Sequence, residues 1–206
     1  MNAHTFLKVD KATFYGFVQA QAEGRYEYVR GRIMQQMTGG TFKHAQIAKR
    51  FISALDKMID ASRSAINGSD RGVETSETVR YPDVSVEPIG ADPDSLATLE
   101  PTLIVEVMSP SSEDRDMYVK PGEYLGIPTL QAYIIASQDE AACFVYLRQN
   151  DGRFPQEPST VQGLDESIDI PSLSLSIPLA EIYRGLALHN ESAPTGTAPA
   201  DATQKD

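Results

Sequence analysis

Two short segments of the chain carry residue types that could do chemistry. One is Tyr81-Pro82-Asp83-Val84, the other Leu103-Ile104-Val105-Glu106-Val107-Met108. Strand alternation puts Leu103, Val105 and Val107 on one face of the second segment and Ile104, Glu106 and Met108 on the other. Glu106 is then a lone charge in an apolar run that reads as a central strand. A carboxylate in that setting is costly unless it is paired, hydrogen-bonded or bound to a metal. Pro82 marks the start or edge of a strand, where Asp83 can face a cleft. Two carboxylates at the ends of neighbouring strands make a hard oxygen site suited to Mg²⁺ or Mn²⁺. Each acid also has a plainer reading. Glu106 could lie on an edge strand with its head in water, and Pro-Asp is a common turn dipeptide.

The elements that must position this pair can be read from patterning. Asp10 to Ala22 reads as an amphipathic helix with Phe14, Phe17 and Val18 on one face and Asp10 as its N-cap. Arg25 to Met37 reads as a hairpin turning at Arg30-Gly31, followed by a Thr38–Thr41 loop. Ile47, Ala48, Phe51, Ile52, Leu55, Met58 and Ile59 keep helical spacing, which predicts a helix over His44–Asp60. Strands are expected at Val73–Val79, Asp83–Glu87 and Pro101–Met108, with a loop at Gly90–Asp94. Leu130–Ala136 and Ala142–Arg148 predict a second hairpin, Asn150-Asp151-Gly152 a turn, and Pro178–Tyr183 a last short helix. The segment from Glu113 to Leu125 carries mixed helical signals, because Pro121-Gly122 interrupts it. The expectation is an α/β (α+β) domain over residues 1–189, with a disordered tail over 190–206.

Composition sets limits on function. The chain has 206 residues and a formal net charge of −11. A protein that grips phosphates over a long footprint usually presents a basic surface, so a chain of this composition could bind nucleic acid only through a local basic patch or a metal that offsets its carboxylates. Arg30, Arg32, Lys43, Lys49 and Arg50 are candidates for that patch. Cys143 is the single cysteine, in the apolar run Ala-Cys-Phe-Val-Tyr-Leu, and reads as a buried, inert thiol. No apolar stretch is long enough for a membrane helix, and the cytoplasm is the expected compartment.

Several motifs in order resemble the Uma-type restriction endonuclease family of the PD-(D/E)xK nuclease superfamily. They are Tyr26-Glu27-Tyr28-Val29-Arg30-Gly31-Arg32-Ile33, His44, Pro82-Asp83 and Glu106-Val107-Met108-Ser109-Pro110-Ser111. The stretches Ile127 to Ile135, Gln138-Asp139 and Val145 to Arg148 extend the resemblance, which spans about residues 7–185. It implies a restriction-endonuclease-like fold, a mixed central sheet flanked by helices with an N-terminal hairpin. It implies Asp83 and Glu106 as metal-binding acids and Glu27 as an additional acid near them. Met108 stands where the motif's lysine is expected, and the family carries a lysine on the following helix, a position that Lys120 matches. Asp114, Arg115 and Asp116 match a charged lead-in to it. Pro121 leaves two readings open: the helix begins near it, or Lys120 points elsewhere as a surface lysine.

The expected activity is metal-dependent hydrolysis of a phosphodiester in nucleic acid, DNA first. Asp83, Glu106, Glu27 and the Val107 carbonyl are the expected Mg²⁺ or Mn²⁺ ligands, with Lys120 catalytic. His44, Lys43 and Arg32 are candidate substrate contacts, while His44 could instead hold the loop before it, and Glu27 could salt-bridge Arg25 or Arg32. A homodimer, paired through an exposed strand edge, fits cleavage of two strands, and an unidentified protein partner could supply target recognition. The competing expectation is an interaction protein that keeps the fold without the activity.

Overall fold

A computed structural model describes residues 8–21, 23–36, 40–109 and 115–188. Met37, Thr38-Gly39, Asp114 and the tail from Asn190 lie outside the described residues, so the expectations placed on them are not addressed below.

The chain runs α1 (Lys11–Ala20), β1 (Arg25–Val29), β2 (Arg32–Gln36), α2 (Phe42–Met58), β3 (Ser64–Gly68), β4 (Gly72–Glu74), β5 (Thr78–Arg80), β6 (Val84–Pro88), β7 (Ala97–Thr98) and β8 (Leu103–Val107). It continues through a π-helical turn (Arg115–Val119), α3 (Lys120–Tyr124), β9 (Ala132–Ala136), β10 (Ala142–Leu147), β11 (Ser159–Gln162), β12 (Ser167–Ile170), β13 (Leu175–Pro178) and α4 (Leu179–Tyr183). The larger sheet has six strands in the order β11-β10-β9-β8-β6-β3. It is mixed: β8 and β9 are parallel, whereas β6 runs antiparallel to β8. A second sheet of five strands, β2-β1-β5-β4-β7, takes in the N-terminal hairpin. That hairpin is therefore one edge of a sheet rather than a free-standing ribbon.

The alternation along β8 sorts its side chains into two cores. Leu103, Val105 and Val107 meet Ile47, Phe51, Ala54 and Leu55 of α2, together with Val84 and Val86 of β6. Ile104 faces the other way, into a core with Tyr124, Leu130, Tyr133, Ile135 and Tyr146. β8 is buried at every residue, as a strand covered on both faces must be. Its apolar run follows directly from that burial.

Helix α2 begins at Phe42, two residues before its expected start, because Thr41 caps it: the Thr41 hydroxyl accepts from the His44 N–H at 3.1 Å. Helix α1 is capped by Asp10, whose carboxylate accepts from the Thr13 N–H at 2.8 Å. The hairpin turns where Arg30 and Gly31 both take positive φ, 49° and 89°, the geometry of a tight primed turn.

At three places the structure goes beyond or departs from the sequence pattern. The Val73–Val79 segment is two strands, β4 and β5, joined by a turn in which the Thr75 N–H donates to the Thr78 carbonyl at 2.9 Å. Strand β3, Ser-Ala-Ile-Asn-Gly, had no strand signature; its place comes from antiparallel pairing with β6 along its whole length. The charged segment before Leu125 is helical throughout its described part, a π-helical turn leading straight into α3. Pro121 falls in the first turn of α3, where a missing N–H breaks no helical bond.

Candidate active site

Asp83 and Glu106 meet at the end of the β6–β8 pair. Val84 lies opposite Val105 in the antiparallel register, so one further step sets Asp83 across from Glu106. Val84 and Val86 belong to the α2 core, which turns Asp83 to the opposite face, the face that Glu106 also takes. The Val107 N–H donates to Asp83 Oδ2 at 2.8 Å. In an extended strand the N–H and C=O of one residue point to the same edge, which puts the Val107 carbonyl on the β6 edge of β8, and Val107 lines the cleft.

Glu106 is almost fully buried and its Oε1 lies 2.6 Å from the Lys120 ammonium. The Tyr124 hydroxyl donates to the same oxygen at 3.2 Å. Lys120 also lies 2.9 Å from Asp116 Oδ1, one helical turn earlier. Burial pushes the Glu106 carboxyl up to about 8; Lys120 pulls it down, and the charges of Asp116 and Asp83 push it further up. Burial disfavours the charged form of Lys120, but Glu106 and Asp116 more than offset this and hold its ammonium protonated. With several carboxylates around one ammonium, holding a proton at Glu106 relieves the crowding of negative charge. A divalent cation would relieve it as well.

His44, in the first turn of α2, reaches round the end of the sheet and places Nε2 3.3 Å from Asp83 Oδ2. That contact raises the pKa of His44 above the usual imidazole value, against the opposing effect of burial. Glu27, on β1, is buried, with Oε1 accepting from Gln36 at 2.7 Å and Oε2 from Arg80 at 2.6 Å. Its salt-bridge partner is thus Arg80, and Arg25 instead binds Ser69 and Asp70.

All five of these site residues, Glu27, His44, Asp83, Glu106 and Lys120, line one open cleft of about 1220 Å³, and Val107 lines it with them. Arg32 and Lys43 are not among the lining residues. The cations on the cleft wall are Arg25, Arg115 and Lys120. Arg30 binds Glu77 on the exposed surface and Arg50 donates to the Ile182 carbonyl, so both are engaged away from the cleft. Sequence reading treated Asp116 only as part of a charged lead-in, yet it is buried in the cleft wall beside Lys120. Its i,i+4 spacing from Lys120 was the available signal. Tyr124, the other residue missed, gave no signal beyond its place in the same turn.

Among the described residues no group of three or more His, Cys, Asp or Glu side chains is arranged to hold a metal. What the cleft offers is two facing carboxylates and a strand carbonyl. Those donors are all hard oxygens, and the raised Glu106 carboxyl marks negative charge that lacks full compensation. Both features fit Mg²⁺ or Mn²⁺, since magnesium keeps several waters and takes one or two carboxylates rather than a full protein cage.

A family model described as "Uma2: Putative restriction endonuclease" matches residues 13–180. The chain belongs to this family. It is 31% identical over 185 residues to "Uncharacterized protein slr1290" of Synechocystis sp., covering 88% of this chain and 95% of that protein. A second Synechocystis relative, "Uncharacterized protein sll1609", is 32% identical over 136 residues, 64% of this chain and 76% of its own length. Among solved structures, the chain is similar to one from Anabaena variabilis titled as a putative nuclease belonging to DUF820. The TM-score is 0.61 with 19% identity, over 81% of this chain and 94% of that one. This likeness shows the fold: a mixed sheet flanked by helices, as the Uma-type resemblance implied. None of the helices among the described residues is long and apolar enough to cross a membrane.

Proposed function

We propose that this protein is a metal-dependent endonuclease that hydrolyses phosphodiester bonds, with DNA as its substrate, and that it acts in the cytoplasm. The observation that carries the reading is the meeting of Asp83, Glu106 and Lys120 in one cleft, with the Lys120 ammonium 2.6 Å from Glu106 Oε1. The family's description, "Putative restriction endonuclease", supports it.

In this reading Asp83, Glu106 and the Val107 carbonyl hold Mg²⁺ or Mn²⁺. Glu27 adds a fourth oxygen donor; each of its oxygens receives one hydrogen bond and keeps a lone pair free. A divalent cation held by these residues would supply Lewis acidity toward water and the phosphoryl oxygens. Lys120, kept charged by its two acidic neighbours, orients the attacking water or stabilises developing negative charge on the phosphate. His44 contacts the phosphate from the α2 side, and Lys43 and Arg32 contact the strand farther from the cleft. Arg25 and Arg115 extend the positive wall that an acidic protein needs for phosphate. Cutting both strands of a duplex takes two such sites, which a homodimer supplies.

The test is cleavage of plasmid DNA, single-stranded DNA and RNA with Mg²⁺ or Mn²⁺, with Asp83→Asn as control. The expected result is metal-dependent nicking of DNA that is lost in the variant and falls steeply as salt rises. No cleavage of any substrate by the parent would favour an interaction protein built on the same fold.

A further inference from the structure

Lys120 comes from a helix that cannot hold itself in place. Helix α3 has five residues and contains Gly122, and with the π-helical turn of five residues before it the helical run Arg115–Tyr124 is only ten residues long. A helix of that length is unstable alone in water, so its position is set by what its side chains grip. One grip is Tyr124, packed edge-on against Tyr133 at 5.3 Å and bonded to Glu106. The other is Glu123.

Glu123 is gripped by Arg80 at the end of β5. Arg80 is only 3% exposed. Its Nε donates to Glu123 Oε2 and its Nη2 to Glu123 Oε1, both at 2.8 Å, a two-pronged pairing of planar groups. Its remaining prong, Nη1, donates to Glu27 Oε2 at 2.6 Å. One rigid buried group therefore ties α3 to β1 and β5 of the five-stranded sheet. Lys120 and Glu123 are three residues apart on α3 and so share a side of it.

We propose that Arg80, acting through Glu123, is a positioning residue that sets the reach of the Lys120 ammonium into the cleft; this rests on the nuclease reading of that cleft. Arg80 is not among the residues lining the cleft, and it works through the two carboxylates it holds. The Glu27 carboxylate and the Lys120 ammonium are thereby fixed relative to each other by a single planar fork. Lysine at position 80 would keep the charge and lose the fork.

The test is acylation of Lys120 by an amine reagent on the intact native chain, read by mass spectrometry, in the parent, Arg80→Lys and Glu123→Gln. Cys143, buried in the α2 core with its thiol pushed up to about 12 by burial, reports any general loosening to a thiol reagent. The expected result is that Lys120 labelling rises severalfold in both variants while Cys143 stays unreacted. Cleavage should fall in kcat by about 10–100-fold in both variants, with Mn²⁺ affinity within about twofold of the parent in Glu123→Gln, which leaves the Arg80–Glu27 contact in place. Unchanged Lys120 labelling, labelling that rises in step with Cys143, or labelling that rises with cleavage unchanged would each overturn the proposal. A parent that cuts nothing removes the nuclease reading of the cleft, whereas the labelling still decides whether Arg80 sets the place of Lys120.

Discussion

Asp116 and Lys120 face each other across the junction between the π-helical turn and α3, with Oδ1 and Nζ 2.9 Å apart and both side chains buried. Asp116 thus gives the lysine a second acidic partner besides Glu106. When a cation occupies Glu106, Asp116 still anchors the ammonium in the cleft. Asp116→Asn is therefore expected to lower cleavage while the metal still binds, more weakly because a nearby negative charge is gone. Loss of that charge-assisted contact should cost about 1–3 kcal/mol of stability. Calorimetric Mn²⁺ titration and denaturant unfolding check the two arms; metal affinity above the parent's would count against this role.

Glu106 makes the metal-free protein sensitive to pH. Its folded pKa is raised from 4.5 to about 8, so between those values the folded state holds a proton that the unfolded state has released. Folding stability is then greatest at low pH within this window and falls as pH rises through about 8. The metal-free parent should lose thermal stability from about pH 5 to 8 relative to Glu106→Gln, which lacks this titration. Mn²⁺ should flatten the loss, and its binding at pH 7 should release protons, measurable by calorimetry in buffers of different ionisation heat. A parent and Glu106→Gln with parallel stability profiles would contradict the raised carboxyl.

Much of this arrangement was legible in the sequence. The Glu106 charge inside an apolar run was legible because alternation in a strand covered on both faces leaves no other apolar-free position. Helix α2 was legible from Ile47, Phe51 and Leu55, which recur on one face and fill the core beneath the sheet. Lys120 was the weakest inference, since Pro121 speaks against helix in the residue before it; the preceding π-helical turn carries the chain into α3 and tertiary contacts hold it there. Arg80 was illegible. It is a charged residue in a short strand, and its meaning lies in two carboxylates 53 and 43 residues away in sequence. Strand β3 was hidden because a Ser-Ala-Ile-Asn-Gly segment takes its conformation from its partner strand.

Lys120 and Asp83 should separate catalysis from metal binding. Lys120→Met, which keeps most of the side-chain volume, should abolish cleavage. Removing the ammonium leaves Glu106 and Asp116 buried without it, and breaking a buried pair costs about 3–5 kcal/mol. Bound metal should return part of that stability. Mn²⁺ should still bind, against a proton that Glu106 holds more tightly than in the parent because Lys120 no longer pulls its carboxyl down. Asp83→Ala should lose both binding and cleavage. Cleavage by Lys120→Met at the parent's rate would remove the lysine from the mechanism and make Lys43 the next candidate.

The frame that holds β8 against α2 should be sensitive to packing. Phe51 is fully buried between α2 and the sheet. Phe51→Ala should cost about 3–5 kcal/mol, because the cavity lies in a core closed by strands that cannot collapse into it. The measurement is the urea midpoint at unchanged slope. A loss below about 1 kcal/mol would mean that the α2 face is not the core it is taken to be.

Asp83 and Glu106 are proposed to hold one divalent cation between them. Calorimetric titration of Mn²⁺ into the parent, Asp83→Asn and Glu106→Gln at pH 8.5 tests it most directly. Saturable binding to the parent is expected, weakened by at least about tenfold by either substitution, with both variants still folded. Binding that survives unchanged in both variants, or no binding to the parent at all, would contradict it.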